Sequence, residues 1–359
     1  MAEMVLMKGN EALCAAAIRG GCRYFFGYPI TPQNEIPEYM SRELAKAGGV
    51  FLQAESEVAA INMVYGAAGA GARVMTSSAS PGIALKQEGI SYIAGAELPC
   101  VIVNISRGGP GLGGIQPSQA DYFQATRGGG NGDYNVLVYA PANIQEAVDL
   151  MTAAFDLADS YRMPVMILGD GMIGQMMEPV VFKDPEPRKL PEKDWATTGT
   201  GGTRKPNIIN SLRLDPAELE KLNHKLQDKY AQVRANEVRY EMHQTDDAEL
   251  VFVAYGTSSR VVKNAVAVMR SNGIKAGLIR PITLWPFPEA AFEELPDSVR
   301  GLMSVELSHG QMIDDVKIAA RGRWPVGFYG RSGGMIFTQQ EIVEAGEKMH
   351  REVTNVSRV

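Results

Sequence analysis

A chain of 359 residues with 45% hydrophobic and 21% charged side chains has room for two domains and the make-up of an ordinary globular protein. A formal net charge of −6 and a pI near 5.5 leave no basic footprint for nucleic acid. No apolar run approaches the roughly 20 residues that span a bilayer, and the start lacks a signal-peptide pattern, so no membrane contact and a cytoplasmic location are expected.

The chain then alternates helical and extended patterns. Asn10 to Arg19 has helical character, Gly20-Gly21-Cys22 stops it, and Tyr24 to Tyr28 reads as a short buried strand ending at Pro29. Thr31 stands as a helix N-cap and Pro32 at the first position of a helix running to about Ala47. A strand at Val50 to Ala54, a helix from Ser56 to Gly69, and strands at Arg73 to Ser77 and Cys100 to Ile105 follow. Val136 to Tyr139 and Pro164 to Leu168 are further strands, separated by the helix Ile144 to Ser160. This alternation implies βαβ units in an α/β fold with a doubly wound, mostly parallel sheet.

After Met177 the composition changes. Pro179, Pro185, Pro187, Pro191, Gly199, Gly201, Gly202 and Pro206 mark a turn-rich connection without its own core. Within it, Asp215-Pro216-Ala217-Glu218 reads as a capping box, with Leu214 stapling to Leu219. The helix that follows carries Leu219, Leu222, Leu226 and Val233 on one face and reaches toward Met242, packing on its own domain or on another subunit. From Glu249 a second α/β unit begins, with a strand at Leu250 to Ser258, a helix at Ser259 to Ser271 and a strand at Lys275 to Arg280. Pro281 to Pro288 reads as a proline-punctuated loop, and Val299 to Val305 as a strand delivering Glu306. The expected boundaries are residues 1–178, a connecting segment 179–247, and a second domain 248–359.

Several residues carry chemistry. The open amides of the helix start at Thr31, with the threonine hydroxyl, suit a carboxylate or phosphate. Glu57 opens a helix that reads as apolar on nearly every face, so burial is expected to raise its proton affinity and let it serve a ring nitrogen. A plain helix-dipole role for Glu57 or Glu55 is the competing account. Arg107 ends a buried strand before Gly108 to Gly114, at the strand end where open α/β sheets bind ligands. Cys14, Cys22 and Cys100 fit no metal-ligand spacing. Gly169-Asp170-Gly171 imitates the start of a diphosphate and magnesium motif but lacks an asparagine at the right distance, so no metal is assigned to it.

Tyr28-Pro29-Ile30-Thr31-Pro32, Glu57 with Gly66, and Ser106 to Pro110 with Gln116 to Asp121 together resemble the 2-oxoacid:ferredoxin oxidoreductase family. The likeness is to the subunit with the pyrimidine-side thiamine diphosphate domain, and most of all to branched-chain (2-oxoisovalerate) members, through Phe25 to Tyr28 and Gln53 to Gln87. Residues 249–315 resemble a transketolase C-terminal-like domain.

The resemblance implies coenzyme A-dependent oxidative decarboxylation of a 2-oxoacid with electrons passed to ferredoxin. It implies that Glu57 bonds the aminopyrimidine N1′ and that Thr31 and Arg107 surround the substrate carboxylate. Pro29, Ile30 and a loop at Ser78 to Gly82, including Ser80 and Gly82, would border the pyrimidine. Magnesium and [4Fe-4S] clusters would sit on partners: a diphosphate-binding subunit, a gamma-type subunit and a ferredoxin-like subunit, assembled as a dimer of heteromers that reduces external ferredoxin. The alternatives are the same complex acting on 2-oxoglutarate or an aryl 2-oxoacid, a non-redox lyase or transketolase-like subunit, and a non-catalytic scaffold.

Overall fold

The structure is a computed structural model, and it describes residues 4–183 and 189–356. Pro185 and Pro187 lie outside the described residues. The first part runs β1 (Met4–Lys8), α1 (Gly9–Arg19), β2 (Tyr24–Gly27), α2 (Glu35–Glu43), β3 (Val50–Gln53), α3 (Glu57–Gly69), β4 (Val74–Ser78) and α4 (Ser80–Gly95). It continues with β5 (Cys100–Ser106), α5 (Tyr122–Thr126), β6 (Leu137–Tyr139), α6 (Ile144–Tyr161), β7 (Pro164–Asp170), α7 (Gly171–Gln175) and β8 (Met177–Val181). The second part holds α8 (Pro216–Asn236), β9 (Tyr240–His243), β10 (Leu250–Val253), α9 (Gly256–Ser271), β11 (Ala276–Pro281) and β12 (Thr283–Trp285). It ends with α10 (Ala290–Glu293), β13 (Gly301–Glu306), α11 (Met312–Ala320), β14 (Val326–Gly330) and α12 (Gln339–Val356).

Three sheets organise these elements. A seven-stranded sheet has the order β12-β6-β7-β5-β4-β2-β3, parallel throughout except for β12. Its middle strands β5 and β7 are buried along their whole length, which is why their sequences are continuous apolar runs. A five-stranded sheet, β14-β13-β10-β11-β9, is parallel apart from β9, and β1 pairs with β8 in a separate antiparallel ribbon.

The capping residues explain the helix starts. Asn143 accepts from Glu146 N–H at 2.8 Å to open α6, and Ser56 accepts from Ala59 N–H at 3.2 Å to open α3. Asp215 caps α8 by accepting from Ala217 N–H at 2.9 Å.

Several expectations need correction. The capping box at α8 is half formed, because Glu218 turns outward to Lys221 at 2.6 Å, and no staple forms, since Leu214 is 85% exposed. The helix ends at Asn236, where the chain turns to pair Tyr240–His243 with β11. Its Leu226, Tyr230 and Val233 pack into this chain's own core, with Lys225 and Lys229 on Glu97. The Pro281–Pro288 stretch is not all loop. Thr283 and Trp285 pair with Tyr139 and Val138, so the second part donates an edge strand to the first part's sheet. β10 stops at Val253, and α9 begins at Gly256. Residues Ser80 to Gly82 are no loop either but the first turn of α4, where Pro81 at an N-terminal position needs no N–H partner.

The two parts are fastened by polar contacts as well as by β12. Arg280 of β11 makes a two-point ion pair with Glu146 of α6, both bonds 2.9 Å, and a third bond to Glu241. Gln119 accepts from Leu307 N–H and Ser258 Oγ and donates to Tyr255 O. Glu306, fully buried, accepts from Ser304, Ser308 and the amides of Gln311, Met312 and Ile313, so it shapes the entry to α11.

Candidate active site

The candidate residues gather at the carboxyl ends of adjacent parallel strands. Thr31 follows β2, Glu57 follows β3, Ser80 and Gly82 follow β4, and Arg107 follows β5. The parallel arrangement therefore delivers all of them to one edge of the sheet.

The first turn of α4 is the hub. Gly82 sits against Glu57: a Cβ at residue 82 would lie 2.7 Å from Glu57 Oε1 and 2.0 Å from Ser78 Oγ. Two residues earlier, Ser80 Oγ accepts from Arg107 N–H at 2.9 Å and donates to Asp121 Oδ2 at 2.7 Å. Asn104 Nδ2 donates to the same Asp121 oxygen at 2.8 Å. Burial pushes the Asp121 carboxyl above the usual carboxylate range.

Arg107 is buried and reaches back to the loop after β2. Its guanidinium donates to Thr31 O at 2.8 Å and to Leu112 O at 2.8 Å. Its Nε is buried without a partner among the described residues, which leaves it a donor still open to a ligand. Thr31 and Arg107 are thus brought together as the sequence suggested.

The anion site at Thr31 differs from that expectation. The helix does not begin there. Gln33 N–H closes a turn on Ile30 O, the Gln33 side chain is drawn inward to accept from Ser77 Oγ, and Asn10 and Gln175 hold the Pro32 carbonyl. These tethers keep the backbone off the helical path until α2 starts at Glu35. Thr31 Oγ1 accepts from Asn34 Nδ2 at 3.2 Å, which leaves its hydroxyl proton available.

Glu57 and Glu55 are separated by burial. Glu57 is 7% exposed, whereas Glu55 faces solvent. The helix that Glu57 opens is not buried all round, contrary to the sequence pattern. Ala60, Ile61, Val64 and Ala68 pack inward, while Val58, Asn62 and Gly66 stay exposed. Pro29 is exposed and Ile30 half-buried, on the same loop as Thr31. No hydrogen bond ties Pro29 to Glu57 among the described residues.

Beside Thr31 opens a cleft of about 660 Å³, walled by Thr31, Asn34, Glu35, Ile115, Pro117, Met172, Met176 and Ile336 among others. Glu57 and Arg107 are not in its wall. Asp170 adjoins it but is committed to capping α7, accepting from Met172 and Ile173 amides at 2.9 and 3.2 Å. Burial pushes its carboxyl upward, which disfavours an ionised metal ligand.

Sequence reasoning passed over Lys86 and Asn104, and gave Ser78 and Asp121 no role of their own beyond the loop and the motif that contain them. Lys86 is fully buried, with Nζ on Thr76 Oγ1 at 2.7 Å and Ser77 O at 2.9 Å. The available signal was spacing: Lys86 lies four residues after Gly82 and so falls on the same helix face. Ser78 Oγ is buried with no partner among the described residues. A buried hydroxyl and a buried carboxylate thus form a cradle around this glycine.

Residues 15–244 match the family model described as pyruvate flavodoxin/ferredoxin oxidoreductase, thiamine diphosphate-binding, and residues 248–342 match pyruvate:ferredoxin oxidoreductase core domain II. A ketoisovalerate oxidoreductase subunit VorB from Methanothermobacter thermautotrophicus is 51% identical over 94% of this chain and 96% of its own. A 2-oxoglutarate synthase subunit KorA from Methanothermobacter marburgensis is 38% identical over 96% of this chain and 98% of its own.

Among solved structures, 2-oxoglutarate:ferredoxin oxidoreductase from Magnetococcus marinus superposes with a TM-score of 0.86 at 27% identity, covering 97% of this chain and 66% of that one. A split-gene transketolase, 16% identical with a TM-score of 0.60, shares the fold.

Proposed function

The chain belongs to the pyruvate flavodoxin/ferredoxin oxidoreductase family, the 2-oxoacid:ferredoxin oxidoreductases, and from that premise we propose that it supplies the pyrimidine side of the active site of a branched-chain member. The reaction proposed is oxidation of 3-methyl-2-oxobutanoate to its acyl-CoA with coenzyme A, electrons leaving through iron-sulfur protein. The observation that carries this reading is the cradle of Glu57, Ser78 and Gly82, joined through Ser80 on the same helical turn to Arg107 and Thr31.

Thiamine diphosphate fits that cradle. Bound there, it would supply a nucleophilic carbon able to add to a 2-oxo carbon and stabilise the charge left by loss of carbon dioxide. Glu57 would hold a proton at the pyrimidine ring nitrogen, Gly82 would leave Glu57 and Ser78 their places beside it, and Ser78 Oγ would gain a partner. Pro29 and Ile30 would border the ring from the loop after β2. Arg107 orients Thr31 through its carbonyl, and both present donors to the substrate carboxylate.

Substrate class follows from the cleft beside Thr31. Its wall is largely apolar, with Glu35 as the one charged lining residue among the described residues. A branched alkyl chain suits such a wall, whereas the second carboxylate of 2-oxoglutarate would lie beside the Glu35 carboxylate, which already holds Lys8 at 3.4 Å.

Partners complete the site. Relatives of this chain are named as subunits, and exposed apolar side chains ring the cradle: Val58, Leu85, Leu112 and Ile115. We assign the diphosphate and magnesium contacts to a second subunit and the iron-sulfur clusters to a ferredoxin-like one, within a heteromer that also holds a gamma-type subunit. The three cysteines here are buried, and burial pushes their thiols up, Cys22 and Cys100 to about 12, which disfavours the thiolate a cluster needs.

The test is coenzyme A-dependent reduction of a low-potential acceptor by the purified complex across branched, dicarboxylic and aryl 2-oxoacids. The expected result is highest kcat/KM for 3-methyl-2-oxobutanoate. Equal or better use of 2-oxoglutarate would overturn the substrate assignment.

A further inference from the structure

Lys86 has no part in the scheme above, yet its setting is unusual. It is fully buried in α4, and two of its three N–H donors go to Thr76 and Ser77 of β4. An ammonium removed from water is costly unless a counter-charge is near.

Gly82 and Lys86 lie one turn apart on the same face of α4. Glu57 Oε1 and Ser78 Oγ both lie against Gly82, and the carbonyl of Ser77, next to Ser78, accepts from the Lys86 ammonium. Thr76 and Ser77 of β4 hold the Lys86 ammonium, and Glu57, from the start of α3, packs on Gly82 one turn earlier in α4. Glu57 is the charged group whose field acts on the ammonium. Burial pushes the lysine down to about 7, and the Glu57 carboxylate pulls it upward.

We propose that Lys86 is a positioning residue for Glu57: a buried cation, one helical turn behind the Gly82 cradle, that keeps the carboxylate ionised and directed at the cofactor's ring. The inference rests on the cradle being the thiamine diphosphate site. It adds that this chain's own lysine tunes the carboxylate that meets the ring.

Removing a neighbouring cation raises a carboxyl group's proton affinity. In Lys86→Met, a near-isosteric change, the Glu57-dependent midpoint in the pH profile of thiamine diphosphate affinity should therefore move up by roughly one pH unit. Affinity is measured by calorimetry on the cofactor-depleted complex, with thiamine diphosphate and magnesium as titrants and circular dichroism as the folding control. The same substitution in a Glu57→Gln background should shift nothing further, because the group it acts through is gone.

Thr76→Val removes one acceptor of the ammonium without emptying the site, and should give a smaller shift in the same direction. A profile unchanged in folded Lys86→Met, or in Thr76→Val should the first variant not fold, overturns the proposal, as does a shift that persists in the Glu57→Gln background. A Glu57→Gln variant with wild-type cofactor affinity and profile would instead overturn the cradle itself.

Discussion

Glu57 and Gly82 are packed so closely that a methyl group on residue 82 would sit 2.7 Å from the Glu57 carboxylate and closer still to Ser78 Oγ. The carboxylate therefore has its place only because residue 82 lacks a side chain. Gly82→Ala would normally favour a helix by about 1 kcal/mol. Here it should displace Glu57 and Ser78, costing roughly 1–3 kcal/mol of stability by overpacking and weakening thiamine diphosphate at least about tenfold. Calorimetric titration and urea unfolding of the same sample check both parts, and unchanged cofactor affinity would show that the cradle is not where the ring binds.

Glu57→Gln keeps the shape and removes the proton. Turnover of the reconstituted complex should fall by roughly 10²–10⁴-fold, the usual range for a positioned acid or base. Glu55→Gln, on the exposed neighbour, should leave turnover unchanged. Equal effects of the two substitutions would remove the distinction that burial draws between them.

Arg107→Met leaves the carbonyls of Thr31 and Leu112 without their donor. A loss of about 1–3 kcal/mol in unfolding free energy is expected, with a rise in KM for the 2-oxoacid. Arg107→Lys should restore charge but not the two-carbonyl geometry, and so fall between. Steady-state kinetics on both variants decides whether the guanidinium serves substrate as well as loop.

Lys86 also predicts how stability varies with pH. Unfolded, a lysine holds its proton below about 10.5, and here it does so only below about 7. Between these values the unfolded chain binds more protons, so stability contributed at this site is present above pH 10.5 and lost as pH falls toward 7. Wild-type unfolding free energies from urea titration should thus rise relative to those of Lys86→Met from pH 7 to 10, by an amount on the order of a few kcal/mol. Parallel curves for the two proteins would place the ammonium in contact with water.

The two parts of the chain are joined by the Arg280 and Glu146 pair, whose side chains are 10% and 18% exposed. Arg280→Met leaves Glu146 nearly buried without its partner, and on the order of 3 kcal/mol of stability should be lost. Denaturation followed by both fluorescence and far-UV circular dichroism checks the loss and shows whether the two parts still unfold together.

Local signals were sufficient for much of this. Apolar runs at Cys100–Ser106 and Pro164–Asp170 gave central strands, Ser56 and Asn143 gave helix starts, and the strand ends gave Thr31, Glu57 and Arg107 as neighbours in chain order of β2, β3 and β5. A period or a cap is a property of adjacent residues, so one sequence suffices to see it. Where the outcome depended on distant groups the sequence was silent or misleading. Thr31-Pro32 has every mark of a helix start, but Asn10, Ser77 and Gln175, from three other elements, hold it in a turn. Thr283–Trp285 looked like loop because its pairing partner, Tyr139, is more than a hundred residues away. Lys86 and Asp121 look like surface charges until α4 and β4 close over the one and Ser80 and Asn104 bind the other. The sequence by itself determined which residues end which strands and what chemistry they bring. Only the tertiary structure decided which of them share a buried site, because desolvation and the close packing of Glu57 on Gly82 are properties of packed surfaces rather than of neighbouring letters.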